Sequence, residues 1–112
     1  MDIEQSAVGP VTRIAPIGRV DSYSARDFES RLMAVIGGGA AVVVDLERLD
    51  YISSAGLRVL LLATKQARAQ NARLALAAMQ KSVREVFDIS GFSSIFEIHA
   101  SADEAIAALS SR

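Results

Sequence analysis

Asp45-Leu46-Glu47-Arg48-Leu49-Asp50-Tyr51-Ile52-Ser53-Ser54-Ala55-Gly56-Leu57-Arg58-Val59-Leu60-Leu61 is the stretch on which the reading of this chain turns. It follows Ala41-Val42-Val43-Val44, a short β-branched run without polar alternation, as expected of a strand buried on both faces. The strand feeds a polar loop from Asp45 to Ser53, and the loop feeds a helix expected over Ala55 to about Gln70. Ser53 and Ser54 stand where an N-cap is wanted, because the first turn of a helix has amide donors with no internal acceptor. Either serine can serve as that cap. At 100° per residue, Leu57, Leu60, Leu61 and Thr64 share one helix face and read as core. Arg58, Leu62, Lys65 and Ala69 share another, on which Leu62 is either an isolated exposed apolar residue or part of a docking surface.

Outward from this segment, helices and strands alternate. Toward the N-terminus, the apolar spacing from Val8 to Ile17 around Gly9-Pro10 predicts a hairpin, and Pro16 belongs at a strand end or edge. Gly18, Asp21, Ser22 and Ser24 supply turn and cap chemistry before a first helix over about residues 24 to 36, which Gly37-Gly38-Gly39 stops. Those glycines lack the Gly-Lys-Ser/Thr continuation of a phosphate loop and read as an ordinary connection. Toward the C-terminus, a strand is expected at Arg73 to Ala78, a third helix at about Lys81 to Ile89, an edge strand at Ile95 to Ile98, and an alanine-rich helix at Ala102 to Leu109. The expectation is one α/β domain over residues 1–112, with a mixed sheet of four or five strands and about four helices packed mainly on one side.

The length of 112 residues fits one core, and 51% apolar against 22% charged residues is enough to fold. Twelve Lys and Arg against thirteen Asp and Glu leave a net charge of −1, which gives no electrostatic ground for nucleic acid or anionic lipid as partner. Without cysteine the chain has no disulfide, thiolate nucleophile or thiolate zinc site, and a cytoplasmic location with no membrane insertion is expected. His99 is the only histidine and is expected at a surface or strand edge, since neither a hydrolase triad nor convergent metal ligands surround it in the sequence. No cofactor, metal site or catalytic activity is expected. Arg84 and Glu85 read as a solvated helix face, and Asp21 and Asp45 as an acidic pair if their strand ends meet.

The central segment resembles the signature of STAS domains in anti-sigma factor antagonists, in which a strand with an acidic or amide end leads to a serine-rich turn and a Gly-Leu helix start. Gly18-Arg19-Val20-Asp21 with Ser24-Ala25 is similar to the family's Gly-x-x-Asp loop. Val83-Arg84-Glu85-Val86-Phe87-Asp88-Ile89-Ser90-Gly91-Phe92 resembles its third-helix stretch, and Ile95-Phe96 its last strand. The resemblance implies a regulator that binds a serine-kinase anti-sigma factor, is inactivated by phosphorylation at Ser54, and is reset by a phosphatase. Many members carry Asp just before the acceptor; here Ser53 stands there and becomes a competing acceptor, while Ala55 stands where a second hydroxyl is common. The partner-binding set is then Asp21, Ser22, Ser53, Ser54, Gly56, Arg58, Leu62 and Lys65. The alternative reading is a STAS subunit of a transporter or sensory assembly that binds without the serine switch.

Overall fold

The computed structural model describes residues 1–110. Its elements run β1 (Asp2–Val8), β2 (Val11–Val20), α1 (Ala25–Gly37), β3 (Ala41–Asp45), β4 (Leu49–Ile52), α2 (Ser54–Ala69), β5 (Leu74–Ala77), α3 (Lys81–Ile89), β6 (Glu97–His99) and α4 (Ala102–Ser110). The strands form one mixed sheet in the order β1-β2-β3-β5-β6, with β4 paired to β2 off that path. Only β1 and β2 are antiparallel; the other pairings are parallel, and the chain between each parallel pair includes a helix.

Six strands replace the expected four or five, and the additional one is β4, which falls in what reads as a polar loop. Its cause is the length of β2. That strand spans ten residues, pairs with β3 from Val11 to Ile14, shifts register between Gly18 and Arg19, and leaves its last turn of chain for Leu49–Ile52. Gly18 sits at the shift with φ +89°, a left-handed value that disfavours any side chain, and its amide donates to the Arg48 carbonyl at 2.9 Å. The hairpin also begins earlier than its apolar spacing indicates, because β1 is an exposed edge strand whose polar residues need no core.

The sheet has a core on each face. Ile14, Val42, Val44, Leu74 and Leu76 point to one face, where Phe28, Leu32 and Ile36 of α1, Leu57, Leu60 and Ala63 of α2, and Val83 and Phe87 of α3 cover them. Val11, Val43, Ala75 and Ala77 point to the other, under Ala105 and Leu109 of α4. Three helices therefore lie on one side and one on the other, in accord with the expected bias. The alternation of period two along β3 and β5 explains why their continuous apolar runs are needed: both faces are buried. Alanines on β5 and α4 let that helix approach closely with little side-chain entropy lost.

Candidate functional site

The junction between β4 and α2 is built from the strand upward. Leu49 and Ile52 point into the core while Asp50 and Tyr51 are exposed, so β4 is a half-buried edge ending at Ser53. Ser53 is extended, with φ −88° and ψ 173°, and its amide donates to the Val20 carbonyl at 2.8 Å, extending the parallel pairing by one bond. Its hydroxyl accepts from the Gly56 amide at 3.3 Å, and its carbonyl accepts from the Leu57 amide at 2.9 Å. Ser53 is thus the N-cap, and it is only half-exposed.

Ser54 is the first residue of α2 and is exposed. Among the described residues its hydroxyl has no hydrogen-bond partner, and no acidic residue occupies the first turn of this helix. With the Gly56 and Leu57 amides satisfied by Ser53, the amides of Ser54 and Ala55 have no acceptor among the described residues and stand at the positive end of the helix macrodipole. The two adjacent serines therefore differ in what their hydroxyls do.

Gly56 is buried rather than on the surface. A Cβ there would lie 2.6 Å from Ile52 Cγ1 and 2.8 Å from Val20 Cγ1, far inside van der Waals contact. Of the expected partner-binding set, Gly56 is the buried member: it seats α2 against the ends of β2 and β4 and so fixes where Ser54 stands.

Asp21 organises the loop between β2 and α1. Its Oδ1 accepts from the amides of Tyr23 at 3.0 Å and Ser24 at 3.1 Å, and the Asp21 amide donates to the Ser24 hydroxyl at 3.0 Å. The Ser24 amide bond is the foremost reason its carboxyl is held below the usual aspartate range; desolvation opposes it, and Tyr23 and Arg19 assist. The Asp21 carbonyl also accepts from the Ala25 amide at 2.9 Å, starting α1. Ser22 is exposed beside it.

Asp45 does not join Asp21 in an acidic pair. Its side chain is buried on the α4 face of the sheet, where Oδ2 accepts from Arg13 Nε at 2.9 Å and Oδ1 from the Glu47 amide at 3.1 Å. Both of its oxygens are engaged, and a buried carboxylate left without its cation would be costly.

Along α2, Arg58 and Lys65 are exposed and Leu62 is half-buried, belonging to neither core. These three residues share the side of α2 that adjoins the Ser54 turn, with the two cations toward solvent and Leu62 between them. Neither cation has an ion-pair partner among the described residues. Arg58 is four residues beyond Ser54, within side-chain reach on a helix. The buried side of α2 is wider than Leu57, Leu60, Leu61 and Thr64, since Val59, Ala63 and Ala67 are also buried and Leu61 only partly so.

Three exposed residues escaped the sequence reading. Tyr23 in the Asp21 loop is 93% exposed. Arg19 and Tyr51 are partners in the β2–β4 register, and the guanidinium carbon lies 4.4 Å from the ring centroid, a cation–π stack. An aromatic residue two positions before the serine pair was the available signal. His99 lies on β6 with Nε2 2.8 Å from Glu97 Oε2, and Glu97 also accepts from Arg73, so the histidine belongs to a strand-edge polar cluster. Arg84 and Glu85 are exposed, with Arg84 paired to Asp88. No helix among the described residues is long and apolar enough to cross a membrane.

Comparison with known proteins gives this geometry relatives. The STAS domain family model matches residues 3–105. BtrV of Bordetella bronchiseptica, named as an anti-sigma factor antagonist, is 51% identical over 92 residues, covering 81% of this chain and 79% of its own. A Thermotoga maritima crystal structure titled as an anti-sigma factor antagonist superposes with TM-score 0.90 at 18% identity, over 96% of this chain and 94% of that one. The phosphorylated form of the Bacillus cell-fate determinant SpoIIAA superposes with TM-score 0.73 at 23% identity, over 95% of this chain and 97% of that one. With its alternating core, its Ser53-capped helix and the match across nearly all its length, the chain belongs to the STAS domain family, among members named as anti-sigma factor antagonists.

Proposed function

We propose that this protein is a cytoplasmic, non-enzymatic anti-sigma factor antagonist that binds a serine-kinase anti-sigma factor through the surface around Ser54. Phosphorylation of Ser54 by that kinase ends the interaction, and a phosphatase restores it. One observation carries the choice of residue: the Ser54 hydroxyl is exposed and unbonded at the start of α2, whereas the Ser53 hydroxyl caps the helix. A kinase can take the first without cost to the fold; taking the second would remove a cap worth about 1 kcal/mol. The relative titled as phosphorylated shares this fold.

The chemistry of the switch follows from charge. A phosphate brings about −1.5 to −2 charges and three acceptor oxygens. At the first position of α2 it meets the free Ser54 and Ala55 amides and the helix dipole, so the domain tolerates it. Arg58, four residues on, can swing to the new dianion and leave the docking face. A partner that used Arg58 and Lys65 as free cations loses one of them and must desolvate the phosphate as well; each 1.4 kcal/mol so lost is about tenfold in affinity. Asp21, Ser22 and Leu62 border this surface, and Arg19, Tyr23 and Tyr51 extend it.

Phosphopeptide mapping after incubation with the cognate kinase tests the site. Modification at Ser54, abolished by Ser54→Ala and retained in Ser53→Ala, is expected. Modification at Ser53 alone would overturn the assignment.

A further inference from the structure

We propose that β1 is a self-complementary edge through which two copies of this chain pair antiparallel, joining their sheets across a two-fold axis at Gln5. β1 is the terminal strand of the sheet path, and among the described residues nothing pairs with its outer side. All its residues are exposed except Ile3, which is half-buried. Of the protections usual on such an edge, β1 has no proline, no lysine and no register shift against β2; it keeps only the two charges of Asp2 and Glu4, both in its first half.

Which backbone groups face outward follows from the turn. Val8 pairs with Val11 across Gly9-Pro10, a two-residue connection. Gly9 has φ +60° and proline locks a negative φ at the next position, which excludes the type I′ turn and fits type II′. Such a turn is closed by a hydrogen-bonded pair, so Val8, Ser6, Glu4 and Asp2 direct their amides and carbonyls toward β2. Ile3, Gln5 and Ala7 direct theirs to the open side, a set symmetric about Gln5.

The charges make a second copy the fitting occupant. The two charged residues of β1, Asp2 and Glu4, both lie on the N-terminal side of Gln5. An antiparallel copy centred on Gln5 sets Asp2 opposite Val8 and Glu4 opposite Ser6, so no like charges face each other, and Glu4 is already paired with Arg48 at 3.0 Å. Gln5 faces Gln5 of the second copy, and Ile3 faces Ala7 in both directions; these three pairs each exchange two backbone hydrogen bonds. The contact is isologous, as a closed dimer requires. One strand pair is a small interface, so the dimer is a weak one.

Sedimentation equilibrium of the chain from about 10 µM to about 1 mM reads the association directly, over the range expected for a small interface. A monomer–dimer equilibrium is expected. Gln5→Pro removes both central donors while leaving the β2 pairing intact, and raises the dissociation constant at least tenfold. Gln5→Lys sets two cations against each other on the axis and weakens the dimer in a way that higher salt relieves, so it decides the matter if the proline variant fails to fold. A chain that stays monomeric throughout, including one that instead captures an extended peptide, overturns the proposal; so does a dimer indifferent to both substitutions.

Discussion

Gly56→Ala is the most informative single perturbation of the site's scaffold. The new methyl would sit 2.6 Å from Ile52 Cγ1, 2.8 Å from Val20 Cγ1 and 3.2 Å from Ile52 Cδ1. Val20 and Ile52 are themselves buried in the main core and β-branched, so neither has a free rotamer into which to retreat. Overpacking of this kind costs about 1–3 kcal/mol, while alanine in place of glycine in a helix returns up to about 1 kcal/mol. Relief of the clash by a shift of α2 would pull the Ser53 hydroxyl from the Gly56 amide, so the net effect is a destabilisation of about 1–2 kcal/mol. At roughly 2.1 cal/mol/K per residue, the unfolding entropy of 112 residues is about 0.24 kcal/mol/K, and the midpoint should fall by about 4–8 °C. Thermal unfolding by circular dichroism, with denaturant titration for the free energy, measures this. An unchanged or raised midpoint would refute the reasoning, since helix propensity would then outweigh the contact.

Ser53→Ala should lower stability by about 1 kcal/mol through loss of the cap, read by the same melts, whereas Ser54→Ala should change it by less than about 0.5 kcal/mol. Leu62→Ala should likewise leave the melting curve nearly unchanged, because Leu62 belongs to neither core, and should weaken partner binding in a pull-down or titration. Asp21 has a depressed carboxyl pKa in the folded state, so its contribution is present above the ordinary aspartate pKa and lost as pH falls through the folded value. Asp21→Asn should therefore be less stable than the parent chain at neutral pH, with the gap closing at pH values below about 3.9; denaturant titrations at several pH values, with carboxyl chemical shifts of Asp21, check it.

Local signals carried most of the fold. Val42, Val43 and Val44 read directly as a strand covered on both faces, and α3 spans Lys81–Ile89 as its periodicity predicts. The helix at the serine pair begins at Ser54 instead of Ala55, because either serine could be the cap and only the Val20 and Gly56 bonds assign that part to Ser53. β4 escaped reading because four residues with apolar ends and polar middles become a strand only when a distant partner, the overhang of β2, offers an edge. The same non-locality hid the pairing of Arg13 with Asp45, thirty-two positions apart, and with it the reason Asp45 cannot meet Asp21. Val59 and Ala63 were missed because α1 packs beside α2 and buries a second side of that helix, a matter of helix arrangement that no single-helix periodicity encodes. Arg19 and Tyr51 meet only through the register of β2 with β4. Gly56 was visible as a motif residue, but its burial follows from packing on Val20 and Ile52.

The switch itself is tested most directly by a binding titration of the purified anti-sigma factor kinase against this protein, unmodified and stoichiometrically phosphorylated at Ser54. Phosphorylation is predicted to raise the dissociation constant at least tenfold, about 1.4 kcal/mol, with the fold of the phosphorylated chain intact by circular dichroism. Equal affinity of the two forms would contradict the switch and leave a STAS domain that binds its partner constitutively.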